Sequence, residues 1–413
     1  MISMHNKSGI IFFVVTFSTL LIGFLFNEDV SGGGTSGDFY YTLNYVAELK
    51  ENIFAVSEFT VHLPLHYIIL SRIDYFINNE TILRFLFLII SISIPLLFYL
   101  CLKIKFISLS SNKALIISSS IFLFPSFRYS AIWANAHITA LIFFLLSTYF
   151  FLRVKKFSLY NINIYLNLFF LAMATYSRQY YALFFLFYLY LYYKNFNFLY
   201  FSLISFYIFL LSLPGWVLIY YNPQFLLGEN GAPIFSLKLY NSLLISSSII
   251  LVYFIPLIFF ILLKKRDFFY KNYFFLSILT LISFFIVLFS SIFFDYNFKL
   301  GGGVFLKASR FFFSNNLLFY LTSIIGFIVI FYLASKHKDN LIILTILLFG
   351  FSGSYVLQKY YEPMLFIIIY LYLKTNFNSN LLNLKFILFS YLYYLFYYLA
   401  SLVNSFYKLS ISI

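Results

Sequence analysis

The chain has 413 residues, 63% hydrophobic and 25% aromatic, with only 10% charged and a formal net charge of +14. A soluble domain is only about half apolar, so this excess excludes a water-soluble globular protein and leaves the bilayer as solvent. Lysine and arginine fall in short breaks between apolar runs rather than in a basic arm, which argues against nucleic acid, and the single cysteine, Cys101, excludes an intrachain disulfide and a multi-cysteine metal site.

Runs approaching the roughly 20 residues of a spanning helix fall near 9–26, 82–101, 114–130, 132–152, 159–176, 179–193, 198–220, 240–263, 273–293, 316–334, 341–357, 361–373 and 386–406. The expected fold is an all-α polytopic membrane protein of about 12–13 transmembrane helices. It forms one membrane domain over 1–413, with an N-terminal module over 1–195, a C-terminal helical module over 196–413 and no soluble domain. The first run is too long for the apolar part of a secretory signal and no small-residue cleavage site follows, so it reads as a retained helix.

The longest stretch outside the runs, 27–81, concentrates charge in a chain that otherwise avoids it: Asp38, Glu48, Lys50, Glu51, Glu58, His62 and His66. Gly32 to Gly37 read as a flexible break. From Asp38 a helical pattern begins, with Phe39, Leu43 and Val46 on one face and Asn44, Glu48 and Glu51 pointing away, as in an amphipathic helix on a membrane interface. A second short helix is expected from Pro64 through His66 and Tyr67 to Arg72. Asp38 suits two roles, an N-cap and a base. His62 and His66, four apart, suit either a metal site or hydrogen bonding at the interface, and His137 is equally open. Glu28 and Asp29 read as solvated helix-end charges, or as ligands of a metal or an acceptor. The glycines of SGGGTSG and LGGG lack the lysine of a phosphate loop.

Positively charged breaks mark the cytoplasmic side. Placing Lys7 inside puts Lys103, Lys105, Lys113, Arg153, Lys155, Lys156, Lys194, Lys264, Lys265, Arg266, Lys271, Lys336, Lys338, Lys374 and Lys385 there as well. Of the acidic residues only Asp267 and Asp339 fall on that side, leaving eleven of 13 on the outer side. Carboxylates contribute little to topology, so this bias points to function. The outer breaks 27–81, 221–239, 294–315 and 357–363 are rich in polar groups, and two shorter ones carry a lone arginine, Arg128 in FRYSAIWANAH and Arg178 in YSRQYY. Arginine near a membrane interior is costly unless paired or aimed at an anion. A phosphate would satisfy Arg84, Arg128, Arg178, Lys307, Arg310 and Lys359 together.

The order of these elements resembles the GT-C superfamily of membrane glycosyltransferases, which includes protein mannosyltransferases and the aminoarabinose transferases that modify lipid A. The resemblance rests on Asp38-Phe39-Tyr40-Tyr41 after the first helix, on His62-Leu63-Pro64-Leu65-His66-Tyr67 as the Pro-rich element, and on Arg84 ahead of the second span. It continues through FPSFRYSAIWANAH and TYSRQYYAL, and covers residues 9–195. The family's frequent Asp-Glu pair is Asp38-Phe39 here, its first proline is Leu63, and the large C-terminal soluble domain of some members is absent.

The resemblance implies an inverting transferase that moves a sugar from a polyprenyl-phosphate donor to a glycan, lipid or protein acceptor. It implies Asp38 as base with Glu58 as a second candidate, and Arg178, Lys307, Arg310, Arg84 and Arg128 at the donor phosphate, Arg84 and Arg128 also bracing the first loop. His62, His66, Lys359, Tyr360 and Glu362 would line the pocket. No metal ligands are assigned, and a need for a divalent cation stays open. The composition suits an AT-rich bacterium, hence an inner-membrane enzyme with its site facing outward; a lumenal site in the endoplasmic reticulum is the alternative. Two other classes remain. An O-antigen-type polymerase or ligase would place its largest outer loop late in the chain. A lipid-linked sugar flippase would carry charge within its spans and an internal repeat.

Overall fold

Within a bilayer every backbone donor and acceptor must be satisfied inside the chain, and helices do this segment by segment. The computed structural model describes residues 8–30, 34–53, 55, 62–221, 238–264, 272–297, 301–351, 355–375 and 382–411, and among them there are helices and no strand. Glu58 lies outside the described residues.

Two compact units share the chain. The first holds α1 (Ser8–Leu25), α2 (Gly34–Glu51), α3 (Leu65–Ile77), α4 (Glu80–Ser91), α5 (Ser93–Lys105), α6 (Ser111–Ser119), α7 (Pro125–Ile132), α8 (Ala136–Leu152), α9 (Ile162–Ser177), α10 (Phe184–Asn195) and α11 (Phe198–Tyr221). The second holds α12 (Leu239–Lys264), α13 (Tyr273–Ile292), α14 (Gly303–Phe313), α15 (Leu317–Lys336), α16 (Lys338–Phe349) and α17 (Met364–Leu371). The last helix, α18 (Leu384–Ile411), belongs to both. Its first turns pack Phe386 and Phe389 on Phe260 and Phe259 of the second unit. Its later turns pack Tyr391 on Phe12 and Tyr394 on Phe124 of the first. The division after residue 195 expected from sequence falls instead after Leu226, and α18 returns to the N-terminal unit.

Seven described helices are long and apolar enough to cross a membrane: α1, α4 with α5 as one 26-residue span, α11, α12, α13, α15 and α18. The protein is therefore a multi-pass, all-helical integral membrane protein in contact with lipid. The expected run at 114–130 is an eighth only as a broken span, because α6 with its 3₁₀ extension and α7 meet at 71°. Pro125 opens α7 and holds Phe124 extended (φ −77°, ψ 120°), which ends the preceding helix. The runs near 132–152, 159–176, 179–193, 341–357 and 361–373 form the shorter helices α8, α9, α10, α16 and α17. Of these, α17 is buried throughout, whereas α9, α10 and α16 keep exposed apolar residues such as Phe169, Leu186 and Leu341. Every residue from 116 to 141 is buried, which is how a broken backbone is tolerated at this depth.

Polar contacts tie neighbouring helices together. Asn167 of α9 donates to the carbonyl and hydroxyl of Ser147 on α8 (3.0 and 2.8 Å) and accepts from the Tyr192 hydroxyl of α10 (2.8 Å). Pro214 interrupts α11, and there the Tyr176 hydroxyl bridges the neighbouring rung, donating to Leu211 O (2.5 Å) and accepting from Gly215 N–H (3.1 Å). In the second unit, α12 is buried along most of its length and its NSLLISSS segment offers small side chains to α15. Ser323 donates to Leu244 O at 2.9 Å. A Cβ on Gly326 would lie 2.1 Å from Ser247 O and 2.7 Å from its carbonyl carbon, so the two backbones touch only because position 326 has no side chain. Gly326→Ala is expected to force α12 and α15 apart and to destabilise the protein by about 1–3 kcal/mol or more. A lowered midpoint of thermal unfolding in detergent checks this; an unchanged midpoint means the contact is looser than described.

Candidate functional site

One end of the first unit gathers the breaks that the charge pattern assigned to a single side. After α1 the chain turns at Asn27 (φ 50°) and Glu28 N donates to Gly23 O (2.8 Å), aiming the Glu28 carboxylate back at the bundle. It meets Arg128 of α7, whose Nε and Nη2 donate to the two carboxylate oxygens at 2.8 and 2.7 Å. The other Arg128 donors go to Thr19 Oγ1 (3.0 Å), Phe122 O (3.2 Å) and Thr19 O (2.8 Å). All five N–H groups are thus used within the fold, and the guanidinium is fully buried. Tyr398 of α18 covers the pair, its ring 4.2 Å from the Arg128 Cζ and its hydroxyl donating to Glu28 Oε2 (3.1 Å). A Cβ on Gly23 would sit 2.3 Å from Glu28 Oε2, so only glycine fits there. Glu28 is therefore not a solvated helix-end charge. Arg128 has no donor left for a phosphate and acts as the brace of the first loop.

Arg84 of α4 is also built into the fold. Its Nε donates to Ile132 O (3.1 Å) and Nη2 to Asn27 Oδ1 (2.9 Å), and its guanidinium lies 3.7 Å over the Trp133 ring. Trp133 Nε1 in turn donates to Glu28 O at 3.1 Å.

Arg178 differs. It follows α9 in extended conformation (φ −151°, ψ 111°) and is buried, with Nη2 donating to Asn135 Oδ1 at 2.7 Å and Nη1 against His62 Nε2. Among the described residues its Nε is buried with no hydrogen-bond partner, and no carboxylate forms an ion pair with it. His62 Nδ1 lies 3.2 Å from Gln179 Oε1, so one tautomer, protonated on Nδ1, serves both contacts. Next to this group His137 Nδ1 meets the Tyr180 hydroxyl at 2.9 Å, and buried His66 meets Thr139 Oγ1 at 2.8 Å. His62 precedes α3, and the two histidines serve different partners. Burial, with the Arg178 charge adding to it, lowers His66 to about 3, so its imidazole is neutral.

The first-loop helices frame this cluster. Helix α2 starts at Gly34, four residues before the expected Asp38, because Asp29 accepts from Ser36 N (2.9 Å) and supplies the carboxylate at its N-terminus. Asp29 is thus the capping charge, and Asp38 sits exposed in the second turn. The face is as expected: Phe39 and Val46 are buried with Tyr45 and Leu49, and Asn44, Glu48 and Glu51 are exposed. Pro64 precedes α3, which runs on to Ile77 beyond the expected end at Arg72, and a Lys50–Asp74 ion pair of 2.5 Å ties α2 to α3. Tyr67 feels the charges of both Asp38 and Arg178. Burial pushes its hydroxyl up to about 12; the Arg178 guanidinium pulls against this and the Asp38 carboxylate adds to it, so both charges act on one phenol.

The remaining expected site residues belong to the second unit. Lys307 and Arg310 lie on α14, a helix the sequence reading did not foresee, which begins at the third of three glycines, 301 to 303, with φ of 129°, 83° and 75°. The Gln358–Tyr360 turn packs on its start, Gln358 Oε1 accepting from Val304 N at 3.0 Å. Lys359 is half-buried and Tyr360 stacks on Phe351, while Glu362 is fully buried beside Tyr361, whose hydroxyl meets Ser246 at 2.5 Å. Lys238 pairs with Asp295 at 2.8 Å in the same unit.

Sequence reasoning missed Asn27, Trp133, Asn135, Thr139, Gln179 and Tyr180. All but Thr139 and Asn27 stand within the segments it quoted, and a polar group inside an apolar run was the signal available. No protein-family model, no curated protein and no solved structure matches this chain.

Two outcomes test these assignments. Glu28→Ala leaves Arg128 buried without its counter-charge and is expected to cost about 3–5 kcal/mol; thermal unfolding of Glu28→Ala beside Glu28→Ala/Arg128→Leu should show partial recovery in the double variant. For His66, the folded state binds its proton only near pH 3 while the unfolded chain binds it near 6.5. Stability is thus fully present above about pH 6.5 and declines as pH falls toward 3. His66→Asn should flatten that slope in a pH series of unfolding midpoints.

Proposed function

We propose that this protein is a membrane glycosyltransferase that moves a sugar from a polyprenyl-phosphate donor to an acceptor hydroxyl, at the cluster around Arg178. One contrast carries the reading. The two most buried arginines of the first unit are treated oppositely: Arg128 has a carboxylate and no spare donor, whereas Arg178 is held by neutral acceptors and keeps a buried N–H unused. A desolvated guanidinium without a counter-charge is costly unless an anion completes it, and a phosphate in a site of low dielectric does so.

The residues around it supply the rest of the chemistry. The acceptor hydroxyl oxygen attacks the anomeric carbon from the face opposite the phosphate and its proton passes to the Asp38 carboxylate. The bond between that carbon and the phosphate oxygen breaks, and the electron pair leaves with the lipid phosphate, whose growing charge Arg178 stabilises. His62 and Asn135 orient the guanidinium and, being neutral, leave its charge available. Neutral His66 adds no competing cation. The Tyr67 hydroxyl, pushed up by burial, stays protonated and available as a donor. In this reading the site faces outward from a bacterial inner membrane.

The test is release of polyprenyl phosphate by protein in lipid nanodiscs, offered radiolabelled polyprenyl-phosphate monosaccharides and a cell-derived acceptor extract. Asp38→Asn is expected to lose about 10²–10⁴-fold in turnover. Arg178→Gln should lose about 10²–10³-fold, with both variants unfolding at the wild-type temperature or close to it. Near-normal turnover by Asp38→Asn removes it as the base. Failure of the wild type with every monosaccharide donor, together with joining of diphosphate-linked oligosaccharides, replaces the proposal with a polymerase or ligase.

A further inference from the structure

Helix α14 has no role in the reading above, and its surface is unusual. Gly303, Leu306 and Ser309 are buried, while Val304, Lys307, Phe311, Phe312 and Phe313 are exposed, the phenylalanines fanning around the last turn. The three phenylalanines are 67%, 71% and 58% exposed, and Leu317, the first residue of α15, is 64% exposed beside them in sequence. Three consecutive phenylalanines and Leu317 across a three-residue turn, all exposed at one corner, need something to cover them.

What covers them follows from how the corner is fixed. Only Ser314 to Asn316 separate α14 from the spanning helix α15, and that link is bonded at each step. Ser309 Oγ donates to Asn315 O (2.8 Å) and accepts from Phe319 N (3.3 Å), and Asn315 Oδ1 accepts from Leu317 N (2.9 Å). The turn is left-handed at Ser314 (φ 54°), so the chain changes direction there instead of extending the span. Since α15 crosses the bilayer between Leu317 and Lys336, the height of Phe311–Phe313 is set at the boundary where Leu317 enters. Lys307 and Arg310 stand one turn earlier, and α14 carries no acidic residue.

We infer that α14 is an interfacial helix that inserts Phe311–Phe313 into the acyl boundary of the leaflet where α15 begins and rests Lys307 and Arg310 on anionic lipid headgroups. The partner is the lipid surface itself. This inference is independent of the proposed transferase activity.

Cys101 is buried and is the only cysteine, so a Cys101→Ser background allows single nitroxide labels at Phe312→Cys, Phe311→Cys and Lys307→Cys. Spin-label accessibility is measured in nanodiscs of neutral lipid alone and of neutral lipid with phosphatidylglycerol. The expected result is that labels at 311 and 312 collide with dissolved oxygen and are shielded from a water-soluble nickel chelate, at a depth of about 5–10 Å, and that the label at 307 reports headgroup level. Lys307→Glu/Arg310→Glu should move the 312 label toward water in anionic discs and leave it unmoved in neutral ones. A 312 label open to the nickel chelate overturns the inference, because the helix then faces water. Shielding from both reagents also overturns it, since protein then covers the patch. An equal shift in both lipids overturns the headgroup contact. If labelling at 312 unfolds the protein, the 311 label decides alone.

Discussion

The first unit depends on a single buried ion pair. Arg128 could not be fully desolvated in a broken helix without a partner that satisfies charge and geometry together, and Glu28 supplies both oxygens while Thr19 and Phe122 take the remaining N–H groups. A bidentate pair tolerates little displacement. It therefore fixes where α1 ends, how the chain enters the first loop and how far α7 sits from α1. Gly23 is the sequence condition for that approach. Arg84 and Trp133 extend the constraint, one binding Asn27 and the other the Glu28 carbonyl, so three successive residues of the loop entrance are accounted for. The pair need not add net stability over an apolar equivalent; its effect is to allow one arrangement only.

Because that frame is rigid, the polar groups beyond it can be left incompletely satisfied. Arg178 lies on the same end of the unit, its backbone N bonded to Ala174 O and its guanidinium donating to Asn135 Oδ1, and among the described residues it lacks the carboxylate partner that Arg128 has. Two buried arginines of one unit thus meet opposite surroundings. The distinguishing variable is the partner, a carboxylate in one case and uncharged acceptors in the other.

That distinction is invisible in sequence. Composition and run length suffice for an all-helical membrane protein, since no other solvent accommodates the chain. Seven of the runs form described helices of spanning length, several others form shorter apolar helices, and Pro125 bends a run that reads as continuous. In α2 the 3.6-residue period placed the buried face correctly at Phe39 and Val46. The start was missed because the capping carboxylate, Asp29, lies seven residues from the Ser36 amide it receives, beyond any local capping pattern. Helix α14 was hidden behind glycines that read as loop. Arg178 and His62 were both legible as polar residues in outer breaks, yet their contact spans 116 positions and follows from tertiary packing alone. Glu28 and Arg128, 100 positions apart, were read separately for the same reason.

The covering of the Glu28–Arg128 pair by Tyr398 links residues 370 positions apart. During synthesis the pair forms long before its cover exists; at about 5–20 residues per second the interval is tens of seconds. Through that time the pair lacks the ring and hydroxyl that later close over it, and its shielding depends on the N-terminal helices alone.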